Sequence, residues 1–420
     1  MISLDDIDLS RGRFWTRPIE EREAAFALLR REQPIAFFEE PEIPWAKRGP
    51  GYYALTRHAD ITEASRRPGV FSSAEGVVVF DRPAASLEFF DSMINMDNPR
   101  HTRLRRIVSR RFTPRMIQNL DETIRRAAAR VVDAIIDRES CDFVTEVAAK
   151  LPLTVICNMM GIAEDDHQFV ADRTSVILGA GDPEYMPDRT DPGAILTAAA
   201  ELSGLFRELA RQRVGNPTGD LTSALVHADL DGERLTGQEL GSFFGLLLQA
   251  GTETTRNAIS HGLTLLTDHP DQKRLWASDY ERYAATAADE IVRVASPIIY
   301  MRRTLTQDYE LDAHRFSKGD KVLLYYWSAN RDEHIFGAPH RFDITRQPNP
   351  HLGFGGPGPH YCLGSHLARS EITAMFRELL HRVPDIHAVG EPVRLRSGFI
   401  NGIKHLRCVF RPRGTPQRSL

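Results

Sequence analysis

The chain has 420 residues, 42% of them hydrophobic and 26% charged, with a net charge of −4. This is ordinary globular material with enough length for an extensive core, and the near-balanced charge gives no reason to expect nucleic acid or an anionic membrane as partner. Four widely spaced cysteines, Cys141, Cys157, Cys362 and Cys408, with no C-x-x-C, suit a reducing compartment rather than a disulfide framework.

The opening, MISLDDIDLSRGRFW, is acidic where a signal peptide is basic and then apolar. No apolar run reaches ~18 residues, so a cytoplasmic protein without a membrane anchor is expected. A helix is predicted around Glu20 to Arg31, then a proline-rich approach through Pro34, Pro41, Pro44 and Pro50, a short strand at Tyr52 to Leu55 and a short helix at Ala59 to Arg66. Residues 77–80 and 87–94 read as an irregular loop containing Phe80, Phe89, Phe90, Met93 and Ile94. Large apolar side chains in such a loop either cover a hydrophobic pocket or anchor the loop in the core, and both readings stand.

Asp97-Asn98-Pro99 starts a basic helix with Arg100, Arg103, Arg105, Arg106, Arg110 and Arg111. His101 and Arg105 are four apart on one face, suited to pairing with carboxylates, and the other arginines are solvated, paired, or form a basic surface for an acidic protein. Helices follow at Pro114 to Ile136 and at Glu146 to Met160, the latter stopped by Gly161. Between Glu164 and Gly219 two helical stretches flank a long connection, AGDPEYMPDRTDPG, of the kind that forms mobile lids.

Thr236-x-x-Glu239 is a capping box, and the helix behind it runs to His269-Pro270. Its ~32 residues span ~48 Å, enough to cross a whole domain, and its apolar faces say that it is buried. Within it, Ala250-Gly251-Thr252-Glu253-Thr254-Thr255 places costly polar groups. Either the threonines bond back to carbonyls and Gly251 permits a bend, or Gly251 admits a ligand against the helix while Glu253 and Thr254 handle protons. Glu290 and Arg293 form an i,i+3 pair that Ser296-Pro297 terminates. Strands are predicted at Ile298 to Thr304 and Val322 to Trp327, and a hairpin tip at Ser397 to Gly402.

The stretch His351 to Arg369 is a Gly/Pro-rich loop running into a helix with apolar residues from Leu363 to Leu380 at three- and four-residue steps. It delivers Cys362 to the expected first turn, where free N–H groups and the helix dipole favour a metal-binding thiolate. Gly355, Gly356, Gly358 and Gly364 permit close approach to a flat ligand, while Pro357 and Pro359 stiffen the loop. Gly353, Gly355 and Gly358 also match G-x-G-x-x-G, but Gln347-Pro348-Asn349-Pro350 precedes them in place of a strand. Zinc binding by Cys362, His360 and His366 lacks the second Cys pair of a structural site.

Phe354, Gly358, His360, Cys362 and Gly364 resemble the haem-binding signature of the cytochrome P450 superfamily, with Phe eight rather than the usual seven residues ahead of Cys. His101-x-x-x-Arg105, A-G-x-E-T-T and Glu290-x-x-Arg293 resemble three further motifs of that family, in the family's order. The resemblance implies a mainly α fold with small β-sheets. It is expected as one domain over residues 1–420 around the long central helix, with a β-rich subregion from 35–75 and 298–330 and a C-terminal hairpin at 393–410. It further implies haem b, with Cys362 as the iron ligand. Propionate contacts fall to His101, Arg105 and Arg303, and loop contacts to Phe354, Gly355, His360 and Gly364. Ala250 and Gly251 face the distal side, with Thr254 and Glu253 as the oxygen-binding and proton-feeding pair. Glu290, Arg293 and Arg341 form a structural network.

The strings GTETTRNAISHG, EIVRVASP, YMRRTLTQD and PNPHLGFGG are similar to those of actinobacterial hydroxylases acting on terminal methyls of methyl-branched lipids and on sterol side chains. Phe80, Met93, Leu247, Gln249, Ala250, Ile298, Ile299, Phe399 and Ile400 are the candidate pocket, carrying no fixed charge. Expected partners are O2, an apolar substrate, and a ferredoxin with its reductase, through which NAD(P)H acts indirectly on a monomer. Alternatives are a hydroxylase of another terpenoid, steroid or macrolide-like metabolite, and a haem-based sensor or ligand carrier.

Overall fold

The structure is a computed structural model that describes residues 2–43, 47–81, 87–110, 112, 118, 120–179, 182–186, 193–229 and 232–412. In chain order its helices are α1 Ile19–Glu32, α2 His58–Arg66, α3 Leu87–Phe90, α4 Arg100–Ser109, α5 Asp121–Asp133, α6 Lys150–Met160, α7 His167–Leu178, α8 Gly193–Gly215, α9 Leu221–Val226, α10 Gly237–Asp268, α11 Pro270–Ser278, α12 Tyr280–Ala295, α13 Tyr326–Ala329 and α14 Ser365–Arg382. Its strands are β1 Ile35–Phe38, β2 Tyr52–Leu55, β3 Phe71–Ser72, β4 Ser140–Asp142, β5 Met301–Leu305, β6 Tyr309–Leu311, β7 His314–Phe316, β8 Lys321–Leu324, β9 His387–Ala388, β10 Val393–Arg394, β11 Ile403–His405 and β12 Arg407–Val409. The expected mainly helical architecture with small sheets is what the chain forms.

The largest sheet has the order β1-β2-β8-β5-β3, uniting residues 35–72 with 301–324 as the sequence predicts. β8 is flanked on both sides and buried at all four positions, which is why Lys-Val-Leu-Leu carries a near-continuous apolar run. It is shorter than predicted: after Leu324 the chain turns into α13, because Tyr325, Tyr326 and Trp327 leave the ladder to pack inward. A second sheet, β4-β12-β9, pairs the C-terminal strand with residues 140–142, and β10 pairs with β11 as the predicted hairpin.

α10 begins at the predicted capping box. Glu239 N–H donates to Thr236 Oγ1 at 3.2 Å, and Thr236 N–H donates to Glu239 Oε2 at 2.9 Å. Ile259, Leu263 and Leu266 on α10 pack with Leu151 and Val155 of α6, Ile291 and Val292 of α12, and Ile372, Met375 and Phe376 of α14. At Gly262 a Cβ would lie 2.6 Å from the Phe376 ring, so α10 and α14 cross closely only because this residue has no side chain.

The predicted helix from Glu146 begins instead with a π-turn at Val144–Ala148 before α6. The apolar stretch near Phe90 holds the short α3 and a 3-10 turn at Met93–Asn95 rather than an irregular loop. The expected helix start at Pro114, Arg111 of the basic run, and residues 180–181 and 187–192 of the long connection lie outside the described residues.

Candidate active site

Main-chain bonds fold the cysteine loop onto itself. Cys362 N–H donates to the Phe354 carbonyl at 2.9 Å, Gly355 N–H to Leu352 at 2.9 Å and Tyr361 N–H to Gly358 at 3.2 Å. The first of these accommodates the inserted residue and keeps Phe354 beside the cysteine. Gly355 has φ +88°, and at Gly358 a Cβ would lie 2.2 Å from the Ser65 carbonyl oxygen of α2, so both positions require glycine. Cys362 itself precedes the helix rather than occupying its first turn, because α14 starts at Ser365 behind Gly364. Burial pushes its thiol pKa up, against the Gly364 N–H and the charges of Arg105 and Arg369. The side chain is nonetheless exposed, and the Gly364 N–H with the charges of Arg105 and Arg369 favours its thiolate.

Four basic side chains converge around the cysteine loop. His101 is 1% exposed, and neither ring nitrogen has a hydrogen-bond partner. Its ring lies 4.2 Å from that of His360, whose pKa falls to about 2 through burial and the charges of Arg303, His101 and Arg105. Arg105 donates to the Tyr361 carbonyl at 2.6 Å, and buried Arg303 donates to the Arg302 carbonyl at 2.7 Å. Among the described residues neither arginine has a carboxylate in ion-pair reach. Asp97 is the acid close by, and Ser72 Oγ and Ser73 N–H occupy its oxygens. β5 alternation separates Arg303 from its neighbour Arg302, which is spent on Asp81. Orphaned buried donors and unpaired guanidinium groups around one sulfur fit a metal group with two carboxylates, as haem is.

Over this cluster runs α10. Ala250 is exposed in mid-helix, although Leu247, Leu248, Thr252 and Glu253 on either side are buried, so the helix presents an accessible face there. Thr254, one turn on and half-buried, donates to the Ala250 carbonyl at 2.6 Å. At Gly251 a Cβ would point toward Ile156 of α6 and stand 3.4 Å from it, an ordinary contact distance. Glu253 pairs with Arg256 one turn on, both buried. Burial raises its carboxyl pKa, against that guanidinium. Thr255 hydrogen-bonds Glu371 of α14, and Leu363 packs on the cluster containing Leu247 and Leu248, which sets the cysteine loop against α10.

Glu290 and Arg293 are fully buried and joined by two bonds of 2.8 Å. The third member of this network is Arg346, whose Nε meets Glu290 Oε1 at 3.2 Å. The expected Arg341 is exposed and offers only its carbonyl, because the turn through Asp343 swings its side chain outward and brings Arg346 back. Sequence reasoning also missed Arg369, which lies 4.4 Å over the Phe354 ring and bonds Asp289 of α12 at 2.6 Å. Its signal was a cation one turn into the cysteine helix. The contact spans the loop and is not a spacing rule.

Of the candidate pocket residues, Ile298, Phe399, Phe80 and Gln249 are half-buried, and Met93 and Leu247 are buried beside Leu104 and Leu248. Ile299 and Ile400 are 1% and 2% exposed, closed off by neighbours such as Tyr300 and Trp327 around Ile299, and do not line accessible space.

A family model described as Cytochrome P450 matches residues 282–383. The chain is 48% identical to the methyl-branched lipid omega-hydroxylase of Mycobacterium tuberculosis, over 96% of this chain and 95% of that protein. It is 40% identical to the steroid C26-monooxygenase of Mycolicibacterium smegmatis, over 92% and 89%. Among solved structures it is similar to Mycobacterium marinum cytochrome P450 CYP268A2 in complex with pseudoionone, with a TM-score of 0.93 and 40% identity, covering 98% of this chain and all of that one.

Proposed function

Because the chain belongs to the cytochrome P450 family, we propose that it hydroxylates the terminal methyl of a methyl-branched lipid, isoprenoid or sterol side chain. It is a monooxygenase of the haem-dependent class, acting on an apolar substrate with O2 and electrons from redox partners. The observation that carries the substrate reading is the alignment of nearly the whole chain with a relative named for omega-hydroxylation of methyl-branched lipids, at higher identity than one named for steroid oxidation.

In this reading haem b, held by the Cys362 sulfur, supplies O2 activation and C–H oxidation. Arg105 and Arg303 would pair with its carboxylates and His101 would hydrogen-bond them, while Phe354, Gly355, His360 and Gly364 would shape the loop beside the sulfur. Thr254 turns its hydroxyl from the Ala250 carbonyl toward the accessible face and holds a proton there, while Glu253 replenishes it. Ala250, Leu247, Ile298 and Phe399 offer apolar surface without fixed charge, so substrates are retained by area and shape. A cytoplasmic ferredoxin and its reductase deliver electrons from NAD(P)H to a monomer. Among the described residues no helix is long and apolar enough to cross a membrane.

The test titrates purified holoenzyme with methyl-branched fatty acids and alcohols, isoprenoids and sterols while following the Soret band, then identifies products formed with a ferredoxin, its reductase, NAD(P)H and O2. A blue shift and a terminal alcohol are expected. Oxidation confined to ring or internal carbons would overturn the terminal-methyl assignment.

A further inference from the structure

Two of the cysteines that look isolated in the sequence meet in the fold. β4 and β12 pair antiparallel with Cys141 directly opposite Cys408, and their sulfurs lie 3.3 Å apart. Phe143 N–H donates to Leu406 O and Phe410 N–H to Glu139 O, so the ladder's alternation makes Cys141 and Cys408 a hydrogen-bonded pair. Such pairs hold Cα atoms about 5.5 Å apart, within the range a disulfide spans. Both side chains point into the core beside Phe143, Val144 and Phe410. The other two cysteines have no such neighbour: Cys157 is buried on α6, and Cys362 belongs to the site described above.

We propose that Cys141 and Cys408 are a redox-modified pair, closing to a disulfide under peroxide and locking the C-terminal strand to β4. The two thiols share a hydrogen bond, so a thiolate formed at one sulfur, Cys408 in the steps below, is stabilised by the S–H of the other. The guanidinium of Arg138 lies close enough to interact with both sulfurs. The Cys408 thiolate attacks one oxygen of hydrogen peroxide, the O–O bond breaks, and protonation of the departing hydroxide releases one water and leaves a sulfenic acid. Cys141 sulfur then displaces that hydroxyl, its proton leaves with it as a second water, and the S–S bond forms. Two thiols and one peroxide thus become one disulfide and two waters.

Access is limited by burial, Cys141 being 6% and Cys408 0% exposed, so a small oxidant is required. Opening is local, because β4 and β12 have three residues each and β9 two. The bridge would close a loop of 267 residues between the sheet and the C-terminal segment, removing conformational freedom from the unfolded chain.

The experiment treats holoenzyme with a small molar excess of hydrogen peroxide, quenches in acid, alkylates free thiols under denaturing conditions and maps peptides. The expected result is a linked pair of peptides containing Cys141 and Cys408, two fewer alkylated thiols, reversal by a dithiol reductant, and a melting temperature raised by several degrees. Cys141→Ser and Cys408→Ser should each abolish the linked peptide and the peroxide-dependent shift. Recovery of both residues as free thiols, or of Cys408 as sulfinic acid with Cys141 unmodified, overturns the proposal. The peptide map needs only the unmutated protein, so poor folding of a variant does not affect it.

Discussion

The Thr254 hydroxyl donates to the Ala250 carbonyl at 2.6 Å, one helical turn back. The side chain assigned to proton delivery is therefore satisfied inside its own helix, at a point where Ala250 presents accessible surface. Such back-bonding adds little to helix stability. Thr254→Ala should accordingly leave stability within ~0.5 kcal/mol and preserve haem content and substrate binding. Product formed per NAD(P)H consumed should fall several-fold, with the balance released as hydrogen peroxide, while Thr254→Ser retains most of the coupling. Full coupling in the alanine variant would remove the hydroxyl from the mechanism.

The buried carboxylate of Glu290 collects Arg293, Arg346, the Asp343 N–H and the Asn349 amide. Removing one partner of a buried pair leaves an uncompensated charge, so Arg293→Ala should cost about 3–5 kcal/mol. Arg346→Ala loses the bond to Glu290 and those to the Gly337, Ala338 and Arg341 carbonyls, and should cost about 1–3 kcal/mol. Arg341 supplies only its carbonyl, so Arg341→Ala should stay within ~0.5 kcal/mol. Urea denaturation with haem retention as a second readout ranks the three, and a larger effect at Arg341 than at Arg346 would contradict the observed network.

Glu371 is 2% exposed on α14, and burial pushes its pKa up to about 8 against the hydrogen bond from Thr255. Its folded pKa lies above the ordinary carboxyl value, so the neutral form is the one the fold prefers. The stability it contributes is fully present below the unfolded pKa near 4.5 and is lost as pH rises through about 8. Between pH 5 and 8 the unmodified protein should lose roughly a few kcal/mol relative to Glu371→Gln, at about 1.36 kcal/mol per pKa unit. Denaturation midpoints of the two proteins at four pH values test this; parallel pH profiles would show that Glu371 is ionised in the fold.

What the sequence made legible was local backbone chemistry and short-range pattern. The Thr236–Glu239 capping box and His269-Pro270 mark both ends of α10, because caps and proline act within a few residues. Strand alternation sends neighbouring Arg302 and Arg303 to opposite faces, Arg302 toward Asp81. Which of Arg341 and Arg346 meets Glu290 depends on a turn whose path no spacing encodes. The juxtaposition of Cys141 and Cys408 arises from sheet order, which pairs the last strand with residues 267 positions earlier.

α4 spends most of its arginines internally. Arg100 pairs with Asp91, Arg103 with Glu239, and Arg105 reaches Tyr361. Arg106 on this helix and Arg110 at its C-cap are both exposed. An acidic electron donor docking there would be steered by these charges, an effect on association rate that salt screens. Arg106→Glu and Arg110→Glu should each slow ferredoxin-dependent reduction several-fold at low ionic strength, with the deficit shrinking in salt and the substrate-induced spectral shift unchanged. Equal reduction rates at low salt would move the docking surface elsewhere.

Residues 182–186 are tied to the C-terminal hairpin by charge. Lys404 Nζ meets Asp182 at 3.0 Å and Glu184 at 2.6 Å, while His405 bridges Asp142 through Nδ1 at 2.5 Å and Glu184 through Nε2 at 2.8 Å. Hydrogen bonding to Asp142 and then Glu184 raises the His405 pKa above its ordinary 6.5, and Lys404 and His405 hold the Glu184 carboxyl low. The folded pKa is the higher one, so the imidazolium bridge is complete below pH 6.5 and is lost as pH rises through the raised value. His405 is partly exposed, so the effect is local rather than global. Amide exchange in residues 182–186 should accelerate on going from pH 6 to pH 9, after correction for intrinsic exchange, and substrate association should quicken with it if this segment gates entry. His405→Gln should remove that pH dependence, and Lys404→Met should raise exchange at every pH. Exchange that is flat with pH in the unmodified protein would show that Lys404 holds the segment without the histidine.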